Sequence, residues 1–176
     1  MLRVFGSSRA GIPAACITGS AHGEAWFLNH AETRGSFILT LLNSHVFHAY
    51  ARRVFVDKQG GWFEVQPKGL EEFPIPSATP EERGMCGLLM EGLLALHGPE
   101  GRGHGERELM VAYLEQWLNG LVYELYFPGP LHARNIRVFE ASMAVGLPAP
   151  GGPDYLGALH AAFRRAHALE IGRAHV

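Results

Sequence analysis

Cysteine is scarce in this 176-residue chain: Cys16 and Cys86 are the only two, and they show no paired spacing. That excludes a disulfide scaffold and a Cys-x-x-Cys motif, and it suits a reducing cytoplasm. Charge is thin as well, at 18% of residues against 47% hydrophobic, which is the composition of a globular chain. No apolar run approaches the roughly 20 residues needed to cross a bilayer. Residues 1–5 lack the long apolar stretch of a signal peptide. The expectation is a soluble cytoplasmic protein without a membrane partner. Aspartate is rarer still. Asp57 and Asp154 are the whole set, and no Gly-x-Ser-x-Gly elbow is present, so a Ser-His-Asp hydrolase has no support. The spaced glycines of residues 98–103 follow no strand and lie among acids, which excludes a phosphate-cradling loop.

Histidine, by contrast, is plentiful at ten residues. His45 and His48 stand three apart on one helical face, but no local Cys or carboxylate completes the three or four ligands that zinc needs. Neither a metal nor a cofactor is expected in this chain. The net charge of −2 hides an asymmetry. Residues 1–70 hold seven Lys/Arg against four acids, while residues 71–146 hold five against eleven. Phosphate neutralisation dominates nucleic-acid affinity, so any DNA contact belongs to the first seventy residues. The acidic total counts against a free-standing DNA binder.

Along the chain, residues 2–5, 14–18 and 25–28 read as short strands separated by Gly/Ser turns. A helix over residues 36–55 follows, with Leu39, Leu42, Val46, Tyr50 and Val54 as its buried stripe. Ser44, His45, His48 and Arg52 lie on its other face. Residues 57–61 read as a turn and residues 62–66 as a strand, after which Pro67, Pro74 and Pro76 interrupt regular structure. Thr79-Pro80-Glu81-Glu82 is a helix start, with Thr as N-cap, Pro at the first position and Glu at the third. Further helices are expected to about Leu96, then over residues 108–127, 131–144 and 154–169, with a Pro/Gly linker at 148–153. Residues 108–127 are apolar over most of the helix circumference, which demands burial or a covering partner. Residues 170–176 read as the translation of a sequencing-adapter oligonucleotide and are set aside from these arguments; Met1 is read as an internal Met. The expected fold class is α+β: a small mixed β-sheet with a packed helix over residues 1–77, then a helical region at 78–146, then a linker and terminal helix at 147–176.

Three segments, taken in order, carry a family resemblance. The first is Leu41-Leu42-Asn43-Ser44 with Phe47, Tyr50 and Arg53. The second is Phe63-Glu64-Val65-Gln66-Pro67-Lys68-Gly69-Leu70 running into Phe73-Pro74-Ile75-Pro76. The third is Leu121-Val122-Tyr123-Glu124-Leu125-Tyr126-Phe127-Pro128 with Leu131-His132-Ala133. Together they resemble the TaqI-like C-terminal specificity domain of restriction-modification adenine-N6 DNA methyltransferases, some of which are fused to an endonuclease. The resemblance implies a target-recognition domain that grips double-stranded DNA beside a methyltransferase domain, which flips out the adenine and uses S-adenosylmethionine. The Asn-Pro-Pro-Tyr type of catalytic motif is absent from these residues, so the chain itself is expected to be a fragment without catalysis. Candidate DNA contacts are Lys68, Arg52, Arg53, Lys58, Gln66 and His48. The rival expectation is a helical protein-protein docking module whose helix 108–127 binds another subunit without touching DNA. A metal-dependent hydrolase ranks last.

Overall fold

A computed structural model describes the backbone of residues 2–3, 16–17, 32–58, 62–169 and 171, and the side chains of 35–56, 64–169 and 171. The chain divides into two compact units, Met1–Pro76 and Ser77–Val176. The described residues are mostly helical, which corrects the expected α+β class. Strand pairing is confined to two antiparallel ladders: β1 (Leu2–Arg3) with β2 (Cys16–Ile17), and β3 (Val56–Lys58) with β4 (Trp62–Glu64). Strands of two or three residues offer no face on which a helix packs as it does on a sheet. The strand expected at residues 25–28 lies outside the described residues.

In the first unit the single helix expected over residues 36–55 is two: α1 (Glu32–Leu42) and α2 (His45–Val54). Ser44 causes the break. Its backbone is extended at φ −88° and ψ 159°, its hydroxyl accepts from the Phe47 amide at 3.2 Å, and it donates to the Leu41 carbonyl at 2.7 Å. The Asn43 side-chain amide donates to the Leu39 carbonyl at 2.8 Å. Short polar side chains thus satisfy both the end of one helix and the start of the next. The buried set moves with the break. Phe37, Leu41, Phe47, Ala51 and Phe55 are in the core, whereas Leu39, Val46 and Tyr50 are only half-buried and Val54 is exposed. Phe47, Tyr50, Phe55 and Phe73 form one aromatic cluster, with the Phe47 and Phe73 rings edge to face at 5.0 Å. Such edge-on pairs are a preferred aromatic geometry.

The expected Gln-Pro-Lys turn is also helical. Pro67 opens α3 (Pro67–Glu71), with Gln66 as its extended N-cap. Proline suits a first helical position because its ring presets φ and no amide is lost.

The second unit packs α4 (Pro80–His97), α5 (Arg107–Tyr126), α6 (Pro128–Ala133), α7 (Val138–Val145) and α8 (Tyr155–Ala168) around α5. Thr79 and Glu82 form the reciprocal capping box that starts α4. In α5, Met110, Leu114, Trp117, Leu118, Leu121 and Val122 are all buried, enclosed by α4, α7 and α8. The Trp117 indole N–H donates to the Ser142 hydroxyl at 2.6 Å, and Ser142 donates in turn to the Val138 carbonyl at 2.5 Å. A buried indole needs such a partner. The segment 131–144, expected as one helix, is split between α6 and α7. Asn135 takes the left-handed conformation at φ 59°, and the amides of Ile136 and Asn135 bond back to the carbonyls of Leu131 and His132. That pairing ends a helix with a reversed final turn, a role asparagine tolerates. The last helix, α8, is part of this core. Leu159, Ala162, Phe163 and Ala166 are buried, and Arg165 donates to the Val145 and Gly146 carbonyls at the end of α7.

Candidate nucleic-acid interface

Five of the six candidate side chains fall within the described residues, and all five belong to the first unit. Arg52 and Arg53 occupy the last turn of α2, where cations also complement the helix dipole, and both are exposed. Lys68 is exposed on α3, one residue past Pro67. Gln66 is exposed and makes no side-chain capping bond to α3. His48 is half-buried; burial first, then the nearby Arg52 guanidinium and His45, hold its imidazole below the ordinary 6.5. Its neutral form, which still donates through one ring N–H, is therefore favoured near pH 7. The side chain of Lys58, whose backbone ends β3, lies outside the described residues.

What brings α2 and α3 together is legible in three contacts. The Tyr50 hydroxyl donates to the Gly69 carbonyl at 2.6 Å. Gly69 is buried, and a Cβ there would stand 2.5 Å from Phe55 Cε1 and 2.9 Å from Val54 Cγ1. The absent side chain is therefore what lets α3 seat against the end of α2. Chain neighbours of Arg53 and of Lys68, Val54 and Gly69, thus approach one another where the two helices meet. Glycine at residue 69 is a signal for that close approach. The sequence reading gave it no role, because proximity to Phe55 is invisible without the fold.

The exposed charges of this unit are not purely cationic. Glu64, Glu71 and Glu72 are exposed on the same unit. Over Met1–Pro76 the balance narrows to seven basic residues against six acidic ones, once Glu71 and Glu72 are included. Val54, Val56 and Ile75 are large apolar residues exposed in this unit.

Away from these residues, two polar clusters draw the eye. Glu124 is buried, and its carboxylate accepts from His132 Nε2 at 2.8 Å and from the Phe139 amide at 2.9 Å, which ties α5 to α6 and α7. Glu106, just before α5, holds His160 Nε2 of α8 at 2.6 Å, and the His104 ring stands edge-on to His160 at 5.0 Å. Both clusters join helices of one core and neither forms a ligand cage. Among the described residues no group of three or more His, Cys, Asp or Glu is placed to hold a metal ion. None of their helices is long and apolar enough to cross a membrane.

The described residues define a mostly helical protein of two units, with Arg52, Arg53, Gln66 and Lys68 exposed on the first. No family model, curated protein or solved structure matches the chain.

Proposed function

We propose that the chain is the sequence-specific DNA-recognition part of a restriction-modification adenine-N6 DNA methyltransferase, with or without a fused endonuclease. In this reading it grips double-stranded DNA in the cytoplasm. A separate methyltransferase domain, not contained in these residues, supplies S-adenosylmethionine and the chemistry. The observation that carries the reading is that Arg52 and Arg53 on α2 and Lys68 on α3 are all exposed, on helices joined by the Tyr50–Gly69 bond. Exposed guanidinium and ammonium groups suit phosphate contacts, while amides suit base edges. The ordered resemblance of the three segments supplies the enzyme class. The near-neutral balance of the unit weighs against tight binding by this chain alone and suits a domain that works beside a partner.

Salt-dependent duplex binding tests this directly. Phosphate contacts should make the logarithm of the affinity fall with the logarithm of the salt concentration, by roughly 0.9 for each phosphate neutralised. Replacing Arg52, Arg53 or Lys68 by Ala should lower that slope by about one each where the residue meets a phosphate. A wild-type chain with no salt-dependent affinity for duplex DNA would sink the proposal.

The second reading, a docking module without DNA contact, draws on exposed Val54, Val56 and Ile75. The apolar helix over residues 108–127 is enclosed by α4, α7 and α8 of its own unit, so docking would have to use another face. Absence of duplex binding at every salt concentration in the same titration would favour it.

A further inference from the structure

We infer that α8 is a strap that lies closed over α4 and α5 at neutral pH and loosens on acidification, with Glu106 as its clasp and His104 and His160 as the groups that take up the protons. The strap belongs to the second unit and does not depend on the DNA-recognition reading above. A Pro/Gly segment, residues 148–153, joins α7 to α8, and Gly146 and Gly151 take the positive φ values of 67° and 85°. A joint of this composition leaves the helix beyond it held by side-chain contacts. Beneath α8 lie Gly92 of α4 and Tyr113 of α5. A Cβ on Gly92 would stand 3.1 Å from Leu159 Cδ1, and the Tyr113 ring meets Phe163 edge-on at 5.3 Å.

Glu106 stands at the N-cap of α5 but makes no capping bond. Its carboxylate turns to α8 instead: Oε2 is 2.6 Å from His160 Nε2, and Oε1 is 3.5 Å from Arg164 Nη2, one turn further on. A nitrogen that close to a carboxylate oxygen must carry a hydrogen, so His160 Nε2 has no lone pair for the Arg164 Nε–H 3.2 Å away. Arg164 therefore acts through its charge, which balances Glu106 while both imidazoles are neutral. The His104 ring stands edge-on to His160 at 5.0 Å, and its Nδ1 is buried with no hydrogen-bond partner among the described residues. Around this cluster, Arg107 is turned to the Leu96 carbonyl and His97, and α4 sets Glu91 near Tyr155. His167 lies against Tyr113 and Phe163, and α7 offers the Val145 and Gly146 carbonyls to Arg165.

The Glu106 carboxyl is held below its ordinary 4.5, first by the His160 hydrogen bond, so it stays anionic at about pH 6.5, where imidazoles change charge. One proton gives an imidazolium that the carboxylate accommodates. A second gives two neighbouring imidazoliums and a guanidinium around a single carboxylate, and a proton on His104 Nδ1 meets no acceptor. Movement of α8 away from the start of α5 relieves both.

Hydrogen exchange read by mass spectrometry on the whole 176-residue chain, corrected for the intrinsic pH dependence of amide exchange, tests this. Protection of α8 relative to α5 should fall roughly threefold between about pH 7.5 and 5.5, a size suited to partly exposed ion pairs. His104→Gln, which cannot take up the second proton, should keep α8 protected at both values. Glu106→Gln should loosen α8 already at the higher pH, while protection of α5 reports that the variant is folded. His97→Gln should leave the α8 response intact, which separates the strap from acid weakening of the whole unit. A wild-type ratio that does not change with pH overturns the inference, as does a His104→Gln chain that responds like the wild type.

Discussion

Tyr50 donates its hydroxyl hydrogen to the carbonyl of Gly69 across 2.6 Å, linking α2 to α3 over nineteen residues of sequence. The Tyr50 ring itself packs with those of Phe47, Phe55 and Phe73. The end of α2 and the start of α3 are thus held together, and Arg52, Arg53 and Lys68 on these two helices are exposed.

Adding a methyl group at that corner should be costly. Gly69→Ala gains helix propensity, but its Cβ would collide with Phe55, which is buried and has little room to move. Overpacking of this kind costs about 1–3 kcal/mol and outweighs the roughly 1 kcal/mol of propensity. Denaturant titration should show a lower midpoint, and a variant as stable as the wild type would contradict the packing described.

Loss of the cap between α1 and α2 should be felt too. Ser44→Ala removes both the acceptor for the Phe47 amide and the donor to the Leu41 carbonyl. A destabilisation of about 1 kcal/mol is expected, and more if the buried amide finds no water. Ser44→Asp, which keeps an acceptor, should recover less than Ser44→Thr because a buried carboxylate adds desolvation.

Cys86 should be chemically silent in the folded protein. It is fully buried, and burial, reinforced by the nearby Glu82 carboxylate, pushes its thiol up to about 12. The thiolate is the reactive form, so almost none is present at neutral pH. Iodoacetamide treatment followed by peptide mapping should leave Cys86 unmodified until denaturant is added. Rapid labelling under native conditions would show that α4 does not pack as described.

Stability should fall as the solution is acidified through the histidine range. Burial, then the neighbouring Arg107 guanidinium, lowers the pKa of His97, and burial acts first on His48 as well. Groups lowered on folding take up protons more readily in the unfolded chain. Their stabilisation is complete above the ordinary value of 6.5 and is lost as pH falls below it. His97→Gln should flatten the change in unfolding midpoint between about pH 7.5 and 5.5. An unchanged slope in that variant would remove His97 from the account.

Local signals were readable wherever the partner atoms lie within a few residues. The capping box at Thr79, the prolines after α5 and the apolar circumference of α5 all came from spacing alone. The candidate cations were readable too, as residue types at a helix end and beside a proline. The meeting of their two helices was not, since it depends on Gly69 approaching Phe55.

The amino-acid order by itself settled where α4 and α5 run and that α5 must be covered, because capping and amphipathicity act within one or two helical turns. Only the tertiary structure decided that α5 is covered from within its own unit, that one helix breaks at Ser44, and that a helix begins at Pro67. The physical reason is that burial phase is chosen by distant partners. Phe73 packs against Phe47 from twenty-six residues away, a contact that no local pattern announces.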